Sequence, residues 1–230
     1  MQIRRDWDIR FDTEQYIAQV GRRLAKLLAR SDVRADWDAA LADAYEFVRP
    51  AAIWDAFPIR EFRHERLILA DGTKIGGGPV TAVVAGASEL VVVICTVGSA
   101  ISQRVSEHQR EGLRLRAMFL DDFGSWAVDQ VRQQVCRAIE ADAAARGWRA
   151  SVALSPGESE WSVTEQAIIF KLVDARSIGV TLSESMVMSP IKSLSLIVGV
   201  GPGPLGVEGG GNCEFCTIRE RCTHRQMRAG

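Results

Sequence analysis

From Leu113 to Ala145 the chain runs 33 residues with no proline and a single glycine, Gly124. Along it Leu115, Met118, Phe119, Trp126, Val131, Val135 and Ile139 trace one helical stripe. A helix of this length must lay its stripe on an apolar layer. An earlier segment has the composition of such a layer: Leu90-Val91-Val92-Val93-Ile94-Cys95 is apolar without alternation, the pattern of a strand covered on both faces and central in a sheet. Gly124 marks the expected place of a break in the long helix.

The rest of the chain mixes the two periods. Residues 13–30 carry Tyr16, Val20, Leu24, Leu27 and Leu28 at helical spacing behind an Asp12/Gln15 capping box. A second helix begins near Ser31-Asp32, runs through Trp37, Leu41, Tyr45 and Val48, and is stopped by Pro50. Arg66 to Leu69 reads as a short strand entering an Asp71-Gly72 turn, and Gly76-Gly77-Gly78-Pro79 reads as a loop inside the domain. Ser162-Val163-Thr164-Glu165 is a capping box ahead of Ile168, Ile169, Leu172 and Val173, which predicts a helix over 163–177. Strands are expected on either side of Ser189-Pro190, one with Met186 and Met188, the other alternating Leu194, Leu196, Val198 and Val200. Helices and strands do not alternate regularly, so the class is α+β with a largely antiparallel sheet flanked by helices.

Composition limits the function. The 230 residues, 47% of them apolar, suffice for one large core without disulfide or metal support. Lys plus Arg total 28 against 29 Asp plus Glu, so no global field draws nucleic acid or anionic lipid. The N-terminus has charge but no apolar stretch behind it, and the longest apolar run is Leu90–Cys95, far short of the roughly 20 residues of a membrane-spanning helix. These features predict a cytoplasmic protein with no nucleic-acid or membrane partner. Gly199-Val200-Gly201-Pro202-Gly203 is no dinucleotide fingerprint, because Pro202 and Pro204 forbid the helix that would hold a pyrophosphate.

Three stretches carry a family resemblance. Ser155-Pro156-Gly157, a capped helix with Leu172-Val173-Asp174-Ala175, and Ile178 to Ser185 followed by Met188-Ser189-Pro190-Ile191-Lys192-Ser193 form the most specific run. Upstream, Cys95-Thr96-Val97-Gly98 and Leu120 to Val128 match as well. Over roughly residues 60–200 the chain resembles the activation domain of vitamin B12-dependent methionine synthase, and more closely the free-standing proteins built from it. The resemblance implies a twisted antiparallel sheet that docks over a corrinoid and supports reductive methylation, in which cob(II)alamin receives an electron and a methyl group from S-adenosylmethionine. It also points to Ser155, Pro156, Gly157, Glu184 and Asp129 as cofactor-contacting positions. The chain departs from the pattern where S-adenosylmethionine binders carry an Arg four residues before the Gly and a Tyr just after it: here stand Ala153 and Glu158. An Arg–carboxylate hydrogen bond is worth roughly 1.5–3 kcal/mol, so that ligand's site is weakened. Arg149 lies about 13 Å away along a strand and is no substitute.

The C-terminus carries its own signal. Gly199 to Gly211 holds seven Gly and two Pro in thirteen residues and reads as a tether. Beyond it Cys213-Glu214-Phe215-Cys216 and Cys222-Thr223-His224 place three thiols within ten residues. Thiolates in that spacing suit an iron–sulfur cluster, four-iron with His224, another Cys or an exogenous group at the fourth corner, or zinc with His224 as fourth ligand, with a metal-free thiol switch as the remaining reading. Cys95 and Cys136 sit in apolar contexts as small hydrophobes, and His64 and His108 have no partner pattern. The division is therefore 1–198 for the domain with its N-terminal helices 1–50, 199–211 for the tether, and 212–230 for the metal-binding tail.

Together these features lead to an accessory factor for a corrinoid-dependent methyltransferase such as methionine synthase. It would dock on the partner's cobalamin and support reduction of cob(II)alamin through the tail, with a low-potential electron donor behind it. A non-catalytic corrinoid-binding or capping module with a zinc tail, and an S-adenosylmethionine-binding reductive methylation domain, are the alternatives. Catalytic side chains are not indicated.

Overall fold

The computed structural model describes residues 1–158 and 160–207. The frame is a seven-stranded antiparallel sheet. Its path runs β4 (Lys74–Gly76), β3 (Arg66–Leu69), β2 (Ala51–Arg63), β5 (Glu89–Thr96), β9 (Ser193–Gly201) and β6 (Arg149–Ala150). A short β1 (Gln2–Arg4) pairs with β2 off this path, and β7 (Thr181–Leu182) with β8 (Met188–Ser189) makes a separate hairpin. The α+β reading holds.

β5 is central, as its unbroken apolar run requires. Val91, Val93 and Cys95 join Ala52 and Trp54 of β2 and Leu196, Val198 and Val200 of β9 on one face. The intervening Leu90, Val92 and Ile94 join Ala51, Ile53 and Ile197 on the other. Full burial of each aliphatic side chain is worth about 1.5–3 kcal/mol, which fixes the register, since a one-residue slip would exchange the faces.

The first face is covered by helices: α3 (Ser31–Phe47), α5 (Ala100–Arg110) and α6 (Arg114–Ala145). α6 is continuous and does not break at Gly124. The glycine serves close packing instead, because a Cβ there would lie 3.1 Å from Ile101 Cδ1 and 3.4 Å from the Lys192 stem. Its buried stripe includes Phe119, Val131, Val135 and Ile139, whereas Leu115 and Met118, expected on that stripe, are exposed. Residues 13–30 form two helices, α1 (Thr13–Val20) and α2 (Arg22–Leu28). Between them Gly21 adopts φ 94°, ψ −171°, a conformation costly for any residue with a Cβ.

The second face is covered by short pieces: α4 (Val80–Val83), a 3-10 turn at Val163–Glu165, α7 (Gln166–Leu172) and a second 3-10 turn at Ala175–Ile178. The helix expected over 163–177 thus ends at Leu172. Its capping box is half made: Ser162 Oγ accepts from Thr164 N–H, but Glu165 turns away to the core, where it accepts from Arg66 Nη1 at 2.7 Å and Gly76 N–H at 3.0 Å. β2, unmarked in the sequence because Pro50 precedes it and Pro58 interrupts it, is the longest strand among the described residues; Pro58 sits within it, in register opposite Glu89.

The expected tether is shorter at its start. β9 continues through Gly201, Leu205 is buried, Gly206 N–H donates to Ala85 O, and Val207 bridges Val83 and Val152 through its backbone. Residues 199–207 are thus part of the packed domain, and backbone pairing in an antiparallel ladder overrides their Gly-rich composition.

Candidate functional site

The specific run from Ser155 to Ser193 folds into a turn, α7 and a hairpin on one side of the sheet. The turn is closed by Glu158 N–H to Ser155 O at 3.1 Å and Gly157 N–H to Trp161 O at 2.8 Å. Pro156 is buried and Gly157 exposed. Trp161 anchors the turn: its ring is buried and its Nε1 donates to Gly76 O at 3.2 Å. α7 carries the link onward. Gln166, buried, donates through Nε2 to Met186 O at 3.2 Å and accepts through Oε1 from Ser195 Oγ at 3.3 Å, tying helix, hairpin and β9 together.

The hairpin between β7 and β8 is tightened by Ser183, whose N–H donates to Val187 O at 2.9 Å and whose Oγ accepts from Val187 N–H at 3.0 Å. It presents Val187 outward, and Ile191 follows just after β8, at 52% and 66% exposure. Glu184 is exposed at the tip and makes no hydrogen bond or ion pair among the described residues.

Asp129 stands elsewhere, on α6. Its Oδ1 accepts from Arg132 Nε and its Oδ2 from Gln133 Nε2, both at 2.9 Å. Burial works against the charge on the Arg132 guanidinium; the Asp129 carboxylate, then Cys136 and Glu158, more than offset it and raise its pKa. The Glu158 carboxylate of the turn thus acts on Arg132 electrostatically, as a smaller contribution than Asp129. Ala153 is buried and offers only a methyl group. Asp129, with two bonds from its own helix, keeps lone pairs free, but position 153 offers no guanidinium, so the Arg contact that the resemblance assigns to S-adenosylmethionine binders is missing.

Two groups were not singled out in the sequence. Lys192 Nζ lies 2.8 Å from both Asp121 Oδ1 and Ser125 Oγ, and its motif was visible although its partners were not. Asp121 also lines an open groove of about 470 Å³ with Gln109, Arg114, Ala117, Met118 and Asp122. His108, given no role from the sequence, is buried with Nε2 against Asp43 Oδ2, which also accepts from Arg104 Nε at 3.2 Å. Burial pushes the Cys95 thiol up to about 12 and the Cys136 thiol up to about 11, so neither is a ready nucleophile or ligand.

Among the described residues no group of three or more His, Cys, Asp or Glu side chains is placed to hold a metal ion, and no helix is long and apolar enough to cross a membrane. The candidate ligands Cys213, Cys216, Cys222 and His224 lie outside the described residues.

Neither a family model nor a curated protein matches the chain. Among solved structures it is similar to the MetH reactivation domain bound to AdoHcy. The match has a TM-score of 0.54 at 12% identity and covers 88% of this chain and 78% of that one. The likeness is one of fold.

Proposed function

We propose that this protein is an accessory factor that docks on a corrinoid-bearing methyltransferase, of which methionine synthase is the type, and supports return of its cobalamin from cob(II) to the active state. What carries the reading is a coincidence of two independent observations. The run that resembles the activation domain, Ser155 to Ser193, builds one linked surface, and over 88% of the chain the fold is similar to that of a reactivation domain. That surface offers exposed Val187 and Ile191. The Asp121 and Asp122 groove is reached from it through Lys192. Apolar side chains beside hydrogen-bonding groups suit a corrin, whose macrocycle is flat and apolar and whose rim carries amides.

The reaction supported is a one-electron reduction of cobalt by a low-potential donor. Cys213, Cys216 and Cys222, with His224 or an exogenous group, would hold the iron–sulfur cluster that passes the electron. S-adenosylmethionine is assigned no step, because Ala153 stands where a binder of that ligand would carry its arginine. The cobalt chemistry belongs to the partner's cofactor, and this chain supplies docking and orientation.

Two measurements test the reading. Hydrogen exchange with and without a cobalamin-loaded methionine synthase fragment should show protection at 155–157 and 184–193; protection confined to the N-terminal helices would overturn the docking. Metal and acid-labile sulfide analysis after anaerobic purification should find iron and sulfide. One equivalent of zinc without sulfide would remove the electron-transfer role and leave a corrinoid-capping module.

A further inference from the structure

We propose that Lys192 is a positioning residue: its ammonium locks the hairpin segment ending at Ser193 onto α6 and thereby sets the angle at which Val187 and Ile191 meet a partner. The consequence for docking rests on the reading above; the lock itself does not.

Lysine normally keeps its ammonium in water on a mobile stem. Here the side chain is 13% exposed, and Nζ donates to Ser125 Oγ and pairs with Asp121 Oδ1, each at 2.8 Å. Asp121, Gly124 and Ser125 stand at i, i+3 and i+4 on α6 and so share one face. The middle position has no side chain, and the lysine stem lies across it: a Cβ at 124 would come within 3.4 Å of Lys192 Cγ and Cε. The helix therefore presents a slot with a glycine floor and two oxygen acceptors.

The backbone of the same residue is held too. Lys192 O accepts from Val97 N–H at 3.1 Å and from Thr96 Oγ1 at 3.3 Å. Ser193 Oγ donates to Pro190 O at 2.7 Å, folding the segment back on itself. Backbone bonds fix where the segment starts from β9, and the ammonium fixes its rotation against α6. Ile191, the adjacent residue, is 66% exposed, so a change of that rotation moves it directly. A partner that contacts both the hairpin and the α6 groove must find them in one fixed relation, which the Lys192–Asp121 pair enforces because Asp121 lines the groove and holds the lysine that follows the hairpin.

The test compares the wild type with Lys192→Met, which keeps the stem and removes the charge, with Asp121→Asn, which reaches the same pair from the helix, and with the exchanged pair Asp121→Lys/Lys192→Asp. In the free proteins, amides 183–191 should exchange about tenfold faster in Lys192→Met while the melting temperature stays near that of the wild type. Binding of a methionine synthase cobalamin fragment carrying hydroxocobalamin should weaken by about tenfold, and the exchanged pair should recover part of both losses. Unchanged exchange in both Lys192→Met and Asp121→Asn would overturn the lock. Faster exchange with unaltered binding would overturn its role in presentation. Absence of binding by the wild type would overturn the docking reading instead, and the exchange comparison, which needs no partner, would still decide whether Lys192 sets the hairpin.

Discussion

On the helix-covered side of the sheet, rings close the core: Trp37 meets Phe119 and Phe123 at centroid distances of 5.1 and 4.8 Å, Phe11 meets Phe123 at 5.3 Å, and Tyr16 stacks on Trp126 at 5.0 Å. On the opposite side, short turns are fastened by single polar anchors: Glu165 to Arg66 and Gly76, Trp161 Nε1 to Gly76 O, and Gln166 to Met186 and Ser195. The buried side-chain atoms without a hydrogen-bond partner among the described residues are Trp37 Nε1, Ser102 Oγ, Gln130 Nε2 and His108 Nδ1, the last of which has only the Glu111 carboxylate 3.5 Å away, and all of them belong to the helix side. Large apolar contact tolerates an orphaned donor, whereas a layer made of turns has too little area to do so and must satisfy its polar groups one by one.

Removing volume should hurt the helix side most. Trp37→Ala is expected to cost about 3–5 kcal/mol in urea unfolding, and a loss below about 1 kcal/mol would break the contrast. On the turn side, polarity should matter more than volume. Glu165→Ala leaves the Gly76 N–H buried without an acceptor and should cost about 2 kcal/mol; Glu165→Gln, which keeps an acceptor, should cost less. Equal losses for the two substitutions would show that the anchor acts by filling space.

Alkaline sensitivity should also divide along the sheet. Burial raises the Cys95 thiol to about 12 and the Cys136 thiol to about 11, and burial followed by the Asp122 charge raises the Tyr16 phenol to about 12; all three pack on the helix side. The unfolded chain releases these protons first, near its ordinary thiol value of roughly 8.5 and phenol value of about 10. Their stability contribution is therefore full below about pH 8.5 and falls as pH rises toward the folded values. Urea midpoints between pH 8 and 10.5 should decline in the wild type and less in Tyr16→Phe with Cys95→Val; parallel declines would remove the assignment. The smallest effect is expected at Gly124→Ala, where a gain of up to about 1 kcal/mol in helix propensity is set against a methyl crowded at 3.1 Å by Ile101. A change within about 1 kcal/mol, with faster exchange in the Lys192 segment, would fit both terms.

The same division governed what the sequence made legible. Leu90–Cys95 and the 31–48 helix were readable because repeated apolar periods report burial over many residues. Gly124 misled because a glycine in a helix reads as a weakness until the side chains pressing on it, Ile101 and Lys192, are known. The turn side was readable only where a motif intervened. Glu165 looked like a local cap because its real partners, Arg66 and Gly76, lie about ninety to a hundred residues away in sequence. Ser155–Gly157 and Glu184 were found through resemblance, and local pattern gave no sign of Gln166 joining them to the core. Lys192, Asp121 and Ser125 all lay in stretches found through resemblance, but their pairing did not show, since no local rule joins a hairpin to a distant helix.

β9 completes the sheet from the far end of the chain, with Ser193 opposite Thr96 and Val200 opposite Glu89. During synthesis β5 emerges roughly a hundred residues before the strand that will flank it, with one hydrogen-bonding edge bare and Leu90, Val92 and Ile94 lacking cover from α7. A chain halted before residue 193 would hold the β2–β5 pair and the long helix yet expose that edge to other chains. Contacts of such long sequence separation also slow folding. The newborn protein thus passes through a sticky interval that ends when β9 reaches the sheet, so a C-terminal truncation reaching into 193–201 should aggregate.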